Sequence, residues 1–265
     1  MAKFSQLSNQ QFWNKQSKLF KTSKFGAHSD PNIVRLENEF IINEIKGKKP
    51  NSLLDLGCGN GRRTLIFSEF VRERVLGIDY SNEMIKNANN FIKNKKIKSK
   101  VKFDQVDVNR INIDEKFDVI IACRCFINLN SVQKQIKLFK NLKNNLKKGG
   151  SLIIAEGSKE GYFNLNFHRR QLGLSPINIS KFNLPINESR VLNAIKNDYQ
   201  IKKIERLGSY YFLTRTVYPY FIKPINPNPK SKFNKMMLEI NQKLFENSNE
   251  LDKFGAHLLV HFIKK

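Results

Sequence analysis

In the stretch Leu53–Thr64, LLDLGCGNGRRT, an apolar run closes on Asp55 and glycines follow at alternate positions. Gly57, Gly59 and Gly61 allow a ligand to approach the backbone closely, and Asp55 stands two residues before the first of them. A dinucleotide fingerprint needs its third glycine one place later, where this chain has Arg62, so a nicotinamide cofactor does not fit. The next apolar run ends at Asp79, 24 residues after Asp55. A carboxylate there can accept both hydroxyls of a ribose. The combination suits a nucleoside with no pyrophosphate to seat, and a zwitterionic amino-acid tail is the other ligand that fits the loop.

Alternating strand-like and helix-like stretches must position these residues. A lead from Gln10 to Lys46 has amphipathic helical periodicity. NSLLDLGC then reads as a buried strand, GRRTLIFSEFVRE as a helix and RVLGIDYS as a second strand. The pattern repeats: NEMIKNANNFIKN is a helix with Ser81 as its N-cap, and VKFDQVDV is a third strand. KFDVIIACRCF is a fourth, SVQKQIKLFKNLKNNL a helix ended by KKGG, and SLIIAEG a fifth. Five strands separated by helices predict an α/β fold, a mostly parallel, doubly wound sheet with its ligand crevice at the carboxyl ends of the strands. FGAH occurs at 25–28 and again at 254–257, which is read as chance.

Composition limits the function classes. A chain of 265 residues with 40% apolar content can bury one α/β core. The N-terminal stretch has no apolar h-region, and no run reaches the roughly 18 apolar residues of a membrane span, so the expected location is cytoplasmic. Three cysteines, Cys58, Cys123 and Cys125, are an odd number in spacings that suit neither zinc nor a redox motif. Neither a metal site nor a disulfide framework is expected. The formal charge of +24 suggests an anionic partner such as nucleic acid, a membrane surface or an acidic substrate. Lysines outnumber arginines 35 to 12 and are dispersed, which is the composition of a drifted, Asn- and Ile-rich sequence with solvated helix faces.

LLDLGCGNG, VLGIDYS, FDQVDV, FDVIIACRCFINL and LKKGGSLIIAEG, in this order, resemble the successive motifs of class I S-adenosylmethionine-dependent methyltransferases. The resemblance covers Leu53 to Gly157 and implies a Rossmann-like sheet of seven strands. Its last strand, AHLLVHFIKK, would be antiparallel and inserted beside a sixth near YQIKKIERLG. It implies one methyltransferase domain over 1–265: a helical cap at 1–50, a cofactor-binding core at 51–160, an inserted acceptor-side region at 161–256 and the last strand at 257–265. The cofactor implied is S-adenosyl-L-methionine. Asp55, Gly57, Cys58, Gly59, Asn60 and Gly61 would line its methionine end, and Asp79 would hold the ribose. Tyr80 and Met84 would flank the adenine, Asp107 would accept from its amino group, Val108 would offer a backbone amide, and Cys123 would join from the fourth strand. In similar enzymes the segment holding His28, Asp30 and Arg35 caps the cofactor; Asp30 and Pro31 equally read as the start of a packing helix.

The acceptor side is less legible. After the fourth strand, ACRCFINL lacks the proline motifs that accompany methylation of planar amino groups or of pyrimidine C5 in this family. Cys123 or Cys125 as a covalent nucleophile would need a depressed thiol pKa, for which only Arg124 is at hand. The flanking segments are similar to bacterial methyltransferases of surface-polysaccharide and small-metabolite clusters, but SKFNLPI stands where those relatives carry Trp-His-Asn. Glu156, at the end of the fifth strand, is the candidate base, with Arg124 beside it and His168 as an alternative on the following helix. The expected reaction is O-methylation of a small-molecule or saccharide acceptor that an anionic group would suit. The alternatives are an RNA methyltransferase recruited by the basic surface and a non-catalytic, cofactor-binding partner subunit.

Overall fold

Leu53, Leu54 and Leu56 follow one another because the strand they form is covered on both faces. β1 (Ser52–Leu56) is buried at all five positions, the mark of an interior parallel strand. The computed structural model describes residues 9–19, 30–111, 113–222, 228–245 and 250–265. The sheet continues with β2 (Arg74–Asp79), β3 (Lys100–Gln105), β4 (Phe117–Cys123), β5 (Leu146–Gly157), β6 (Tyr199–Arg206) and β7 (His257–Lys264). Its order is β3-β2-β1-β4-β5-β7-β6. β1 to β5 run parallel, and β7 is antiparallel to both β5 and β6. This is the seven-stranded, Rossmann-like arrangement that the motifs imply.

Two helices precede the sheet, α1 (Asn9–Leu19) and α2 (Pro31–Ile45), where the periodicity suggested one long lead. Asp30 caps α2 by accepting from the Asn32 amide at 3.0 Å, with Pro31 at the first helical position. His28 and the first FGAH lie outside the described residues. α3 (Arg62–Ser68), α4 (Asn82–Ile92) and α5 (Val132–Leu142) are the crossover helices of the core, and Ser81 caps α4 as expected. The fifth strand begins at Leu146 rather than after KKGG, because the chain from Leu146 already pairs with β4 at Phe117.

Between β5 and β7 lie α6 (Lys159–Gln171), α7 (Glu188–Ile195) and α8 (Gly208–Phe212). α8 passes through a π-helical turn at Leu213–Val217 into α9 (Tyr218–Phe221), and α10 (Lys232–Phe245) follows. The core has two faces. Phe40, Ile41 and Ile45 of α2 pack with Leu53 on one side, and Phe139 and Leu142 of α5 pack with Leu54 and Leu56 on the other. Among the described residues no helix is long and apolar enough to cross a membrane.

Candidate functional site

The strand order reverses between β1 and β4, and there a sheet of this kind leaves a crevice at the carboxyl ends of its strands. A cavity opens at that place, with Asp55 from β1, Asp79 from β2 and Cys123 from β4 in its wall. Gly59 has a φ of 56°, and no atom lies within 4 Å of the place a Cβ would take. Backbone conformation, not crowding, therefore requires glycine there. Its amide donates to Asp79 Oδ2 at 3.1 Å, and the Ser81 amide donates to Asp79 Oδ1 at 2.9 Å. Two bonds thus fix the carboxylate, and each oxygen keeps capacity for a further donor. Burial pushes the Asp79 carboxyl up to about 6 against the pull of those amides. Asp55 is also pushed up to about 6 by burial, and accepts from Thr64 Oγ1 at 2.6 Å.

Gly57, Cys58, Asn60, Tyr80, Met84, Asp107 and Val108 line the same cavity, so eleven of the twelve residues expected at a cofactor site come together: Asp55, Gly57, Cys58, Gly59, Asn60, Asp79, Tyr80, Met84, Asp107, Val108 and Cys123. Asp107 accepts from the Asn109 amide at 2.9 Å through Oδ1. Met84, Val108 and Leu129 give this end apolar walls.

Gly61 is the exception. It caps α3 with a φ of 73° outside the cavity lining, and an added Cβ would stand 2.6 Å from Phe103 Cζ and 2.9 Å from Ala88 Cβ. Its close approach serves the packing between α3, α4 and β3.

Glu156 is a second correction. It is wholly buried and absent from the cavity wall. Its Oε1 accepts from the amides of Cys125 and Phe126 at 2.7 and 2.9 Å, and its Oε2 accepts from the Ile127 amide at 3.1 Å. So engaged, the carboxyl holds the turn after β4 and does not reach an acceptor as a base. Burial pushes it up to about 8, with the three amides opposing. His168 is a third correction. Its Nδ1 lies 2.9 Å from the Asn164 carbonyl and its ring packs edge-on to Phe254 at 4.8 Å, outside the cavity lining. The cysteines do not suit covalent catalysis either. Burial pushes Cys123 up to about 12 and raises Cys58 and Cys125, so all three stay thiols at neutral pH.

Arg124 does line the cavity, at a left-handed φ of 54° that an arginine rarely adopts. The turn is held around it: its amide donates to Ala155 O at 2.9 Å, Asn128 Nδ2 donates to its carbonyl at 2.7 Å, and Glu156 secures the next three amides.

Three participants were not anticipated. Glu37 of α2 is wholly buried and pairs with both Arg63 at 2.9 Å and Arg124 at 2.6 Å. Arg63 lines the cavity, and its Nη2 is buried without a hydrogen-bond partner among the described residues. Trp13 donates from Nε1 to Asn128 Oδ1 at 3.1 Å, while Ser81 Oγ donates to Asn14 Oδ1 at 2.6 Å, tying α1 to the turns after β4 and β2. The arginines directly after the glycine loop were a readable signal for Arg63. Glu37 offered none beyond a carboxylate on a helix with an apolar face. Among the described residues no cluster of three or more His, Cys, Asp or Glu could hold a metal ion.

Comparison with known proteins agrees with this geometry. Residues 48–172 match the family model of a methyltransferase domain. The chain is 28% identical over 250 residues to malonyl-[acyl-carrier protein] O-methyltransferase of Priestia megaterium, covering 86% of this chain and 84% of that protein. It is 31% identical over 131 residues to the ubiquinone/menaquinone biosynthesis C-methyltransferase UbiE of Azotobacter vinelandii, covering 48% of this chain and 50% of that one. The chain thus spans about half the length of some of the curated relatives it matches. In fold it is similar to the N-methyltransferase NodS of Bradyrhizobium japonicum WM9 in complex with S-adenosyl-L-homocysteine, with a TM-score of 0.60, 12% identity and coverage of 97% and 98%.

Proposed function

We propose that this chain, a class I S-adenosylmethionine-dependent methyltransferase, moves the methyl group to an oxygen of a small-molecule or saccharide acceptor. The cofactor, when bound, supplies an electrophilic methyl on a sulfonium for in-line displacement; the protein supplies alignment. Asp79 accepts from the ribose hydroxyls. Asp107 and the Val108 amide take the edge of the adenine, and Met84, Val108 and Leu129 take its faces. Asp55 and the loop 57–60 receive the amino-acid end, with Arg63 Nη2 as the free donor for its carboxylate. Arg124 orients the acceptor and favours one with an anionic group.

The small acceptor rests on one observation. Trp13 and Asn14 tie α1 to both rims of the cavity, a cover under which a compact acceptor fits and which would limit the access of water to the sulfonium. The preference for oxygen rests on the donor set. The carboxylates in the described lining are Asp55, Asp79 and Asp107, and no histidine stands among them. Such a wall suits an acceptor oxygen already ionised near neutral pH, a carboxylate or an acidic hydroxyl, whereas an ordinary saccharide hydroxyl would need a base that the acceptor's own binding brings near. The name of the Priestia relative, an O-methyltransferase, points the same way.

The test is transfer of tritiated methyl from the cofactor into a cell extract, followed by separation by mass before and after ribonuclease. The expected product is a ribonuclease-resistant label in the low-mass fraction. Label in RNA that ribonuclease releases would overturn the small-acceptor reading.

A further inference from the structure

The end of the sheet opposite the methyl-transfer cavity carries a second cavity of about 310 Å³, at the amino ends of β1, β4 and β5. Lys48, Lys49, Arg72, Lys147 and Lys148 line it, against one carboxylate, Asp118. That carboxylate is already engaged. Asp118 accepts from the Ser52 amide and hydroxyl, both at 2.8 Å, and pairs with Lys147 at 2.9 Å. Lys48 is anchored by donating to Ser151 Oγ at 3.0 Å, while Lys49, Arg72 and Lys148 make no ion pair among the described residues. Lys49, Arg72, Lys148 and, with Glu44 acting on its charge but no ion pair, Lys48 therefore turn four positive charges on one polar hollow.

The backbone adds an independent sign. Lys49 is, among the described residues, one of two non-glycine residues with a left-handed φ, here 44°, a conformation that is strained for a lysine and that glycine would adopt freely. Strain of this kind persists where the placement of the side chain matters. The same edge extends the positive field. Burial and then Lys202 push the Lys48 ammonium down, and burial with Lys116 and Lys143 does the same to Lys264. Of the acids there, Glu44 pairs with Lys202, Lys203 and His261, and Asp198 pairs with Lys143.

We propose that this hollow binds two linked phosphate groups, separately from the methyl-transfer site. Lysines are point-charge phosphate ligands, a single carboxylate would leave three of the four charges unanswered, and the volume exceeds that of one phosphate. The linked phosphates come either from a free oligophosphate or from the backbone of a nucleic acid. The overall charge of +24 draws both.

Calorimetric titration of inorganic pyrophosphate at low salt, with saturating S-adenosylhomocysteine in the cell to keep the first cavity filled, tests the site. One equivalent should bind. Lys49→Gly should weaken it about tenfold, the loss of one charge-assisted contact. Because the same change relieves left-handed strain, it should not lower the melting temperature, and it should leave the affinity for S-adenosylhomocysteine unchanged. Lys96→Ala, an exposed lysine elsewhere, should leave pyrophosphate binding intact. A ten-residue oligouridylate separates the sources. Binding tenfold tighter than pyrophosphate and lost in Lys49→Gly/Lys148→Ala identifies a nucleic-acid backbone, whereas no such gain identifies a free oligophosphate. No binding of pyrophosphate, several weak equivalents, or the same loss in Lys96→Ala would overturn the proposal.

Discussion

Asp79 ties chemistry to pH most directly. Its carboxyl, raised to about 6 by burial, must be ionised to accept from two hydroxyls, so affinity for S-adenosylhomocysteine should rise as pH rises through about 6. Calorimetry should find binding about tenfold weaker at pH 5 than at pH 8, and an affinity that improves toward low pH would refute that role. Glu156 makes the opposite case, a carboxyl whose importance is structural. Glu156→Gln places an amide donor against backbone amides, and should cost about 1–3 kcal/mol in stability by thermal melting. The raised value also has a sign. A folded state that prefers the protonated acid gains stability that is complete below the unfolded value near 4.5 and is lost as pH rises through about 8. From about pH 7, where the unfolded histidines are already mostly neutral, up to about 8, the wild type should therefore lose stability and Glu156→Gln should flatten that slope. At this scale the sequence exposed residue types at the right strand ends but not their burial. Glu156 and Asp79 both end apolar strands, yet only the fold shows that one faces the cavity and the other the turn beneath it.

At the scale of elements, each crossover turn was readable because its signal is local. Ser81 before α4 and the glycines before α3 act within three or four residues, and Asp30 caps α2 in the same way. The glycine that looked most like its neighbours does different work. Gly61 abuts Phe103 from β3 and Ala88 from α4, contacts that depend on sheet order and leave no trace in spacing. Gly61→Ala should destabilise by about 2–4 kcal/mol, overpacking plus left-handed strain, measured by urea unfolding. α1 was legible as amphipathic but not as a strap, because Asn128 lies 115 positions from Trp13. Trp13→Ala should weaken cofactor affinity about tenfold, since the strap acts only across the cavity. It should change the melting temperature by less than about 2 °C, because α1 lies outside the sheet's core.

Across the whole molecule, the alternation of strands and helices was enough to predict a doubly wound sheet, and the five ordered motifs added its antiparallel last strand. The rest of the cavity wall stayed closed to such reading because its residues come from α1, α3 and the turn after β4, and behind it Glu37 of α2 pairs with Arg63 and Arg124 across sequence separations of 26 and 87 residues. In the function proposed, the cavity at the carboxyl ends of β1, β2 and β4 seats a sulfur nucleoside through Asp79. Titration of S-adenosylhomocysteine into the wild type and Asp79→Asn tests that claim most directly. One equivalent should bind the wild type, and the variant should bind it at least tenfold more weakly, for the lost charge-assisted contacts. No binding to the wild type, or equal affinity in Asp79→Asn, would contradict the account.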